Sequence, residues 1–150
     1  MSRVLRSKYL KMNRVFRTTK TFTFREADPA GIMFFGNIFG VAHDAFEQFI
    51  LDAGFTWQEW FLTKDYLIPI RHTEADYKAP FRPGQTYEVL VSVASFGETS
   101  FKMRYVFESQ GHKHATVQMV HSVLDKKTQQ KLTIPADIKS RLQPYLESLT

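Results

Sequence analysis

The chain has 150 residues, a length that suits one domain with its own hydrophobic core. Hydrophobic residues make up 43% and charged residues 23%, which excludes a disordered chain, and the absence of cysteine excludes disulfides, thiolate catalysis and cysteine-ligated zinc. A net charge of +5 favours an anionic partner without selecting nucleic acid, a membrane surface or a phosphorylated small molecule.

The chain begins with a basic segment. Residues 1–13 are predicted to form a basic arm, and one domain is expected over residues 14–150. The arm has no apolar segment of the kind found in signal peptides, and no apolar run approaches the ~20 residues that span a bilayer. We therefore expect a cytoplasmic protein that does not enter the membrane, although the Arg, Lys, Ser and Thr content of the arm also fits a transit peptide.

The first two predicted elements are a strand and a long helix. Alternating Phe and Thr residues predict a strand from Phe16 to Arg25, with Phe22 and Phe24 on one face. Apolar residues at helical spacing predict a helix from Asn37 to Ala53. Its polar stripe is narrow, so the helix is expected to be largely buried. A short second helix is predicted over residues 57–62.

Four strand-like runs and a last helix follow. The strands are predicted at residues 68–78, 87–94, 101–108 and 114–124, and the helix begins at Pro135 and ends near Pro144. A sheet of about five mostly antiparallel strands must then cover the one long apolar helix. The sequence therefore predicts an α+β fold.

Asp28 is the first candidate for chemistry. It lies between the first strand and the long helix, where unpaired N–H groups at a helix N-terminus stabilise negative charge, so it could act as nucleophile or general base. The structural alternative is also strong, because Asp, Pro and Gly at the first, second and fourth positions favour a type I turn. Spacing alone favours the turn.

A longer motif resembles a known enzyme family. Residues 28–37, Asp-Pro-Ala-Gly-Ile-Met-Phe-Phe-Gly-Asn, resemble the signature of the 4-hydroxybenzoyl-CoA thioesterase family of hot-dog-fold enzymes. The likeness continues in register at residues 75–80, 83–85, 99–101 and 134–135, so it covers about residues 16–143. It implies a hot-dog fold, in which the sheet wraps around a long central helix, and an acyl-CoA thioesterase activity.

The resemblance also implies roles for single residues. Asp28 would attack the thioester carbonyl or activate a water molecule to do so, and the backbone N–H of Phe35 would polarise the carbonyl oxygen. Gly31 would let the backbone pass close to the substrate. Asn37 would orient the start of the helix, or act as a plain N-cap.

Two departures limit these implications. Many relatives in the family have His at the position of Phe35, so a mechanism that needs His beside the aspartate does not transfer. An Arg pair that some aromatic-CoA thioesterases use is replaced by Gly97 and Glu98. The phosphate contacts inferred for those enzymes do not transfer either.

The long helix carries a second candidate pair. Residues 43–47 resemble the helix of the dihydroxynaphthoyl-CoA thioesterase branch, with His43 and Glu47 one turn apart. They could pair with each other, or Glu47 could face the site as a second carboxylate. The alternative is a polar stripe in contact with solvent or with another subunit.

Basic residues supply candidates for binding CoA. Lys78, Arg82 and Lys102 flank strands and turns where a CoA diphosphate would lie, although each could equally be a solvated surface charge. CoA is expected only as part of the substrate, and no metal or organic cofactor is expected. His112 and His114 have no evident third ligand for a metal ion.

Several alternatives stay open. The resemblance implies a homodimer or homotetramer acting on acyl-CoA, with acyl carrier protein a possible replacement for CoA. A hydroxyacyl-thioester dehydratase could use His43 with Asp44 or Glu47. A non-catalytic RNA-binding domain could use the rings and cations of residues 100–107, but such a domain needs two βαβ halves. Benzoyl-like, naphthoyl-like, short aliphatic and β-ketoacyl groups all remain candidates for the acyl group.

Overall fold

The computed structural model describes residues 14–62 and 65–148, so the predicted basic arm lies outside the described residues. A five-stranded sheet, with every neighbouring pair antiparallel, has the order β1-β4-β5-β6-β3. Its strands are β1 (Phe16–Thr21), β3 (Ile70–Tyr77), β4 (Thr86–Phe96), β5 (Ser100–Ser109) and β6 (His112–Ser122). Two short strands, β2 (Tyr66–Leu67) and β7 (Leu124–Asp125), form a separate small sheet. The predicted α+β class and antiparallel sheet are confirmed.

The helices follow the predicted periodicity closely. They are α1 (Asn37–Asp52), α2 (Trp57–Phe61) and α3 (Ala136–Leu142). A 3-10 turn follows α3 and contains Pro144, which ends the helix as expected. The buried residues of α1 repeat every three or four positions: Ile38, Val41, Ala42, Ala45, Phe46, Phe49 and Ile50. The same core cluster includes the inward-facing side chains of β4, β5 and β6.

The predicted first strand is wrong at its end. β1 stops at Thr21, and residues Phe24–Glu26 form a 3-10 turn in which Phe24 is 88% exposed while Phe22 is buried. The Thr23 N–H donates to the Glu26 carboxylate at 3.0 Å, a local bond that starts the turn. The alternation of Phe and Thr residues predicted that the strand would continue to Arg25. It could not reveal that the chain turns instead, because the turn depends on a hydrogen bond to Glu26.

Strand β5 illustrates how the sheet buries its rings. Phe101, Met103, Tyr105 and Phe107 all face the core, and each is at most 1% exposed. The cations between them are on the other face, where Arg104 pairs with Glu147. Because the rings are buried, they cannot stack on bases as the RNA-binding alternative required.

No helix in the part of the chain that the structure describes is long and apolar enough to span a membrane.

One imidazole lies inside the core. His121 is 1% exposed, and burial, together with the nearby His43, lowers its pKa from 6.5 to about 3. Between about pH 3 and pH 6.5 the unfolded chain therefore binds a proton that the folded chain does not bind.

We expect this imidazole to make the protein sensitive to acid. As the pH falls from 6.5 towards 3, His121 should progressively lower the free energy of unfolding, by roughly 1 kcal/mol per pH unit. A His121→Phe variant lacks this contribution, so urea denaturation at pH 7 and pH 5 should show a smaller pH dependence than in the wild type. Equal pH dependence in the two proteins would contradict the prediction.

Candidate active site

Asp28 lies in a short hairpin of residues 27–33. Ala27 and Met33 form an antiparallel bridge, and the N–H of Asp28 donates to the Ile32 carbonyl at 3.0 Å. The Met33 N–H donates to the Phe81 carbonyl at 2.8 Å, which ties the hairpin to the segment that follows β3. Backbone bonds on both sides therefore hold the aspartate in place.

The carboxylate of Asp28 is half-buried, and its two oxygens have different surroundings. Oδ1 accepts the Ala30 N–H at 2.8 Å, and the Gly31 N–H donates to the Asp28 carbonyl at 3.0 Å, as the turn interpretation predicts. Among the described residues, Oδ2 has no hydrogen-bond partner. One oxygen thus fixes the side chain while the other is available to a substrate or a water molecule.

Gly31 completes the turn with a φ of +79°, in the left-handed region. A Cβ at this position would meet no atom within 4 Å, so the constraint is the backbone conformation and not a clash. Gly40, within α1, also has open space around the position of a Cβ, but it has ordinary helical geometry.

We expect opposite stability changes at these two glycines. Gly31→Ala should lower the unfolding free energy by about 1–2 kcal/mol, because an L-residue is disfavoured at positive φ. Gly40→Ala should raise it by up to about 1 kcal/mol, because Ala is the better helix former. Chemical denaturation measures both changes, and equal effects of the two substitutions would contradict the assignment of Gly31.

The start of α1 is tied to the segment before Asp28. The Glu26 carbonyl accepts the Phe34 N–H at 2.9 Å and the Asn37 side-chain amide at 2.9 Å. Gly36 occupies the N-cap position and Asn37 is the first helical residue, so the plain N-cap role considered for Asn37 is wrong. The bond from its side-chain amide to Glu26 is compatible with the other predicted role, orienting the helix start, which stays a prediction.

Unpaired N–H groups lie directly before α1. The backbone N–H groups of Phe35 and Gly36 have no acceptor within residues 14–62 and 65–148. Tyr77, at the end of β3, donates its hydroxyl to the Phe35 carbonyl and so fixes the peptide to which the Gly36 N–H belongs. Burial raises the pKa of Tyr77, which keeps the hydroxyl protonated as a donor.

Sequence reasoning missed the contribution of Tyr77. The residue lies within the similar segment 75–80, but nothing local indicates that its hydroxyl reaches the helix start. The one hint in the sequence was a tyrosine, with its hydrogen-bonding hydroxyl, at the end of a predicted strand.

A mostly apolar cavity of about 340 Å³ lies beside Phe35. It is lined chiefly by Ile32, Met33, Phe35, Tyr77, Lys78 and Phe81. Phe35 and Lys78, both predicted site residues, are therefore brought together. Asn37 instead lines a different, polar cavity of about 440 Å³ beside Lys20 and Glu26.

The three predicted CoA-binding cations do not lie together. Lys102 lines a cavity of about 490 Å³ with Arg71 and His72, at the start of β3. Lys78 directly follows the last residue of β3, ~20 Å further along the strand. Arg82 is exposed near the Lys78 end. These cations cannot all contact one phosphate group.

His43 and Glu47 form a pair on α1, with Nδ1 and Oε1 3.6 Å apart. Among the described residues, neither makes a recorded hydrogen bond or ion pair with Asp28. His43 lines another small cavity, between α1 and α2. The structure therefore supports pairing between these two side chains.

Comparisons with known proteins relate this chain to thioesterases. Residues 22–142 match the model of the thioesterase-like superfamily. A 1,4-dihydroxy-2-naphthoyl-CoA hydrolase from Synechococcus elongatus is 26% identical over 133 residues, which cover 88% of this chain and 95% of that protein.

Solved structures of thioesterases share the fold. A 1,4-dihydroxy-2-naphthoyl-CoA thioesterase from Synechocystis superposes with a TM-score of 0.78 at 18% identity, over 86% of this chain and 96% of that one. A gentisyl-coenzyme A thioesterase gives 0.72 at 22% identity, over 86% and 98%. At such identities the likeness shows the fold alone, which is the hot-dog fold. With the family match over residues 22–142, we conclude that the chain belongs to the thioesterase-like superfamily and is a thioester hydrolase.

Proposed function

We propose that this protein hydrolyses an acyl-CoA thioester to the free acid and CoA, with Asp28 as nucleophile or general base. The observation that carries the proposal is the half-buried carboxylate, which has one oxygen fixed by the Ala30 N–H and the other without a partner in the described part of the chain. It lies in a hairpin that leads directly into the backbone N–H groups of Phe35 and Gly36, which have no acceptor among the described residues. A carboxylate and N–H donors are the two parts that acyl transfer needs.

In the general-base route, Asp28 takes a proton from water and the resulting hydroxide adds to the thioester carbon. The N–H of Phe35, with that of Gly36, stabilises the negative charge that develops on the carbonyl oxygen. The C–S bond then breaks, and the CoA thiolate receives the proton from Asp28. In the nucleophilic route, the carboxylate attacks the same carbon, the thiolate leaves, and water hydrolyses the mixed anhydride.

The proposed reaction uses no metal or organic cofactor. Lys78, which lines the cavity beside Phe35, is the predicted cation best placed to attract an anionic CoA group there. Arg82 lies at the same end of β3, whereas Lys102 would require a phosphate at the opposite end. Acyl carrier protein remains an alternative carrier, and a cytoplasmic location stays a prediction.

The activity is tested by thiol release over a panel of acyl-CoA esters. The panel should contain 4-hydroxybenzoyl-CoA, dihydroxynaphthoyl-CoA, a short aliphatic ester and a β-ketoacyl ester, each also as its acyl carrier protein thioester. We expect thiol release with at least one ester and a rate that depends on the acyl group. Absence of thiol release from the whole panel would reject the proposal.

The pairing of His43 with Glu47 supports a second candidate function, that of a hydroxyacyl-thioester dehydratase. Such an enzyme removes water from a hydroxyacyl-CoA and leaves the thioester intact. Incubation with a 3-hydroxyacyl-CoA should distinguish the two, because a dehydratase forms an enoyl thioester without free thiol. Thiol release without enoyl product supports the thioesterase.

We also propose that the chain acts as a homodimer or homotetramer. The edge strand β3 is exposed along most of its length, and Phe34 and Phe35 beside the site are 46% and 65% exposed. An unpaired edge and an exposed aromatic patch are features that a second subunit covers. Sedimentation equilibrium should therefore give the mass of two or four chains, and a monomeric mass at micromolar concentration would contradict this proposal.

A further inference from the structure

The segment that connects β3 to β4 forms part of the wall of the cavity beside Phe35. Four residues of this connecting segment, residues 78–85, line the cavity: Lys78, Ala79, Pro80 and Phe81. The segment also supports the aspartate hairpin, because the Phe81 carbonyl accepts the Met33 N–H at 2.8 Å. Whatever fixes the backbone of the connecting segment therefore also affects the hairpin that contains Asp28.

His114, on the neighbouring strand β6, holds the connecting segment. Its backbone carbonyl accepts the Lys78 N–H at 2.7 Å and the Ala79 N–H at 3.1 Å. Its side chain reaches the next residue, with the imidazole Nδ1 3.1 Å from the Pro80 carbonyl oxygen. Within the described part of the chain, no other group donates to that carbonyl. One histidine thus contacts three consecutive residues of the segment.

The contact with Pro80 assigns the proton on the imidazole of His114. A carbonyl oxygen can only accept a hydrogen bond, so Nδ1 must carry the proton and donate it. The ring also packs against Tyr87, with centroids 4.9 Å apart, and against Phe81 at 5.5 Å. The hydrogen bond and these two ring contacts together hold the imidazole in one orientation.

Ring packing by itself does not fix the backbone of the connecting segment. Phe81 is 1% exposed, and its ring centroid lies 4.9 Å from that of Phe22 and 4.8 Å from that of Tyr87. These contacts hold the side chain, but they leave the direction of the Pro80 carbonyl undetermined. Because the peptide of that carbonyl directly precedes the Phe81 carbonyl, the hydrogen bond from His114 limits how far the carbonyl that supports the hairpin can rotate.

We propose that His114 is a positioning residue, whose imidazole fixes the Pro80 carbonyl and thereby keeps the aspartate hairpin in the position that catalysis by Asp28 requires. The inference rests on the proposed function and adds a residue to it. His114 is not among the residues that line the cavity, so it acts through the connecting segment and the hairpin and not on the substrate. Functional groups depend on such supporting hydrogen bonds for their alignment.

The first test uses two substitutions of His114. His114→Phe keeps an aromatic ring but removes the donor, so kcat for thioester hydrolysis should fall about tenfold. His114→Asn keeps a side-chain N–H at the same number of bonds from Cβ and should recover most of this loss. His112→Phe, at an exposed position on β6, is the control and should keep the wild-type kcat. An unchanged kcat in folded His114→Phe, or an Asn variant as slow as the Phe variant, would overturn the proposal.

A double-mutant cycle separates positioning of Asp28 from a general loss of structure. If the imidazole acts through Asp28, adding His114→Phe to Asp28→Asn should change the residual kcat by less than about twofold. A role in stability alone would reduce the amount of active protein equally in both backgrounds. A loss of about tenfold in each background would therefore overturn the proposal.

NMR spectra test the contact without turnover. In the wild type the ring nitrogen shifts of His114 should show the proton on Nδ1, and a proton on Nε2 alone would overturn the proposal. The Met33 amide signal should move in His114→Phe and stay near its wild-type position in His114→Asn. Thiol release by the wild type with an unmoved Met33 signal in His114→Phe would reject this inference alone. The expected NMR results without thiol release from any ester would keep the contact and reject the thioesterase.

Discussion

Asp28→Asn is expected to lower kcat for thioester hydrolysis on the order of 10²–10⁴-fold while the protein stays folded. An amide neither accepts a proton from water at neutral pH nor attacks a thioester carbon. Its Oδ1 can still accept the Ala30 N–H, which holds the turn in the wild type at 2.8 Å. Thiol release at saturating substrate measures the loss, and circular dichroism with a thermal melt checks the fold.

Asp125→Asn is the matched control for this substitution. The Asp125 carboxylate also organises a turn, in which Oδ1 accepts the N–H groups of Lys127 at 2.9 Å and Thr128 at 2.8 Å. Turnover should be unchanged in that variant. A folded Asp28→Asn enzyme with wild-type kcat would contradict the catalytic role, and a variant that fails to fold would make the turn its principal role.

Phe49→Ala is expected to lower the unfolding free energy by about 3–5 kcal/mol. Phe49 is fully buried on α1, and its ring contacts Tyr145 with centroids 4.7 Å apart, Phe46 at 6.2 Å and Phe16 at 6.3 Å. Its removal leaves a cavity that joins α1, β1 and the C-terminal turn. Because small domains are stable by only about 5–15 kcal/mol, the effect should be large in urea denaturation.

Leu51→Ala tests whether this loss comes from the core. Leu51 lies two residues further along α1 but is 54% exposed, and Leu and Ala are both good helix formers. We expect a change within about 0.5 kcal/mol. A Phe49→Ala variant that loses no more stability than Leu51→Ala would show that α1 is not anchored through this ring.

Several features of this protein were determined by the sequence alone. The spacing of apolar residues from Ile38 to Ile50 defined α1 to within one residue, because a buried helix face has a period that neighbours along the chain reveal. Alternation predicted the inward rings of β5 for the same reason. The turn at Asp28 and Gly31 is also local, since its hydrogen bonds join residues two or three positions apart.

Pairing between distant segments was decided only by the tertiary structure. Periodicity cannot show that Tyr77 reaches the Phe35 carbonyl, that the Glu26 carbonyl holds Asn37, or that the length of β3 separates Lys78 from Lys102. The burial of the His121 ring between Phe46 and Phe101 was equally hidden, because it depends on how α1 packs against β5 and β6. Sequence patterns report which face of an element is buried, whereas the contacts that build a site depend on how those faces pack.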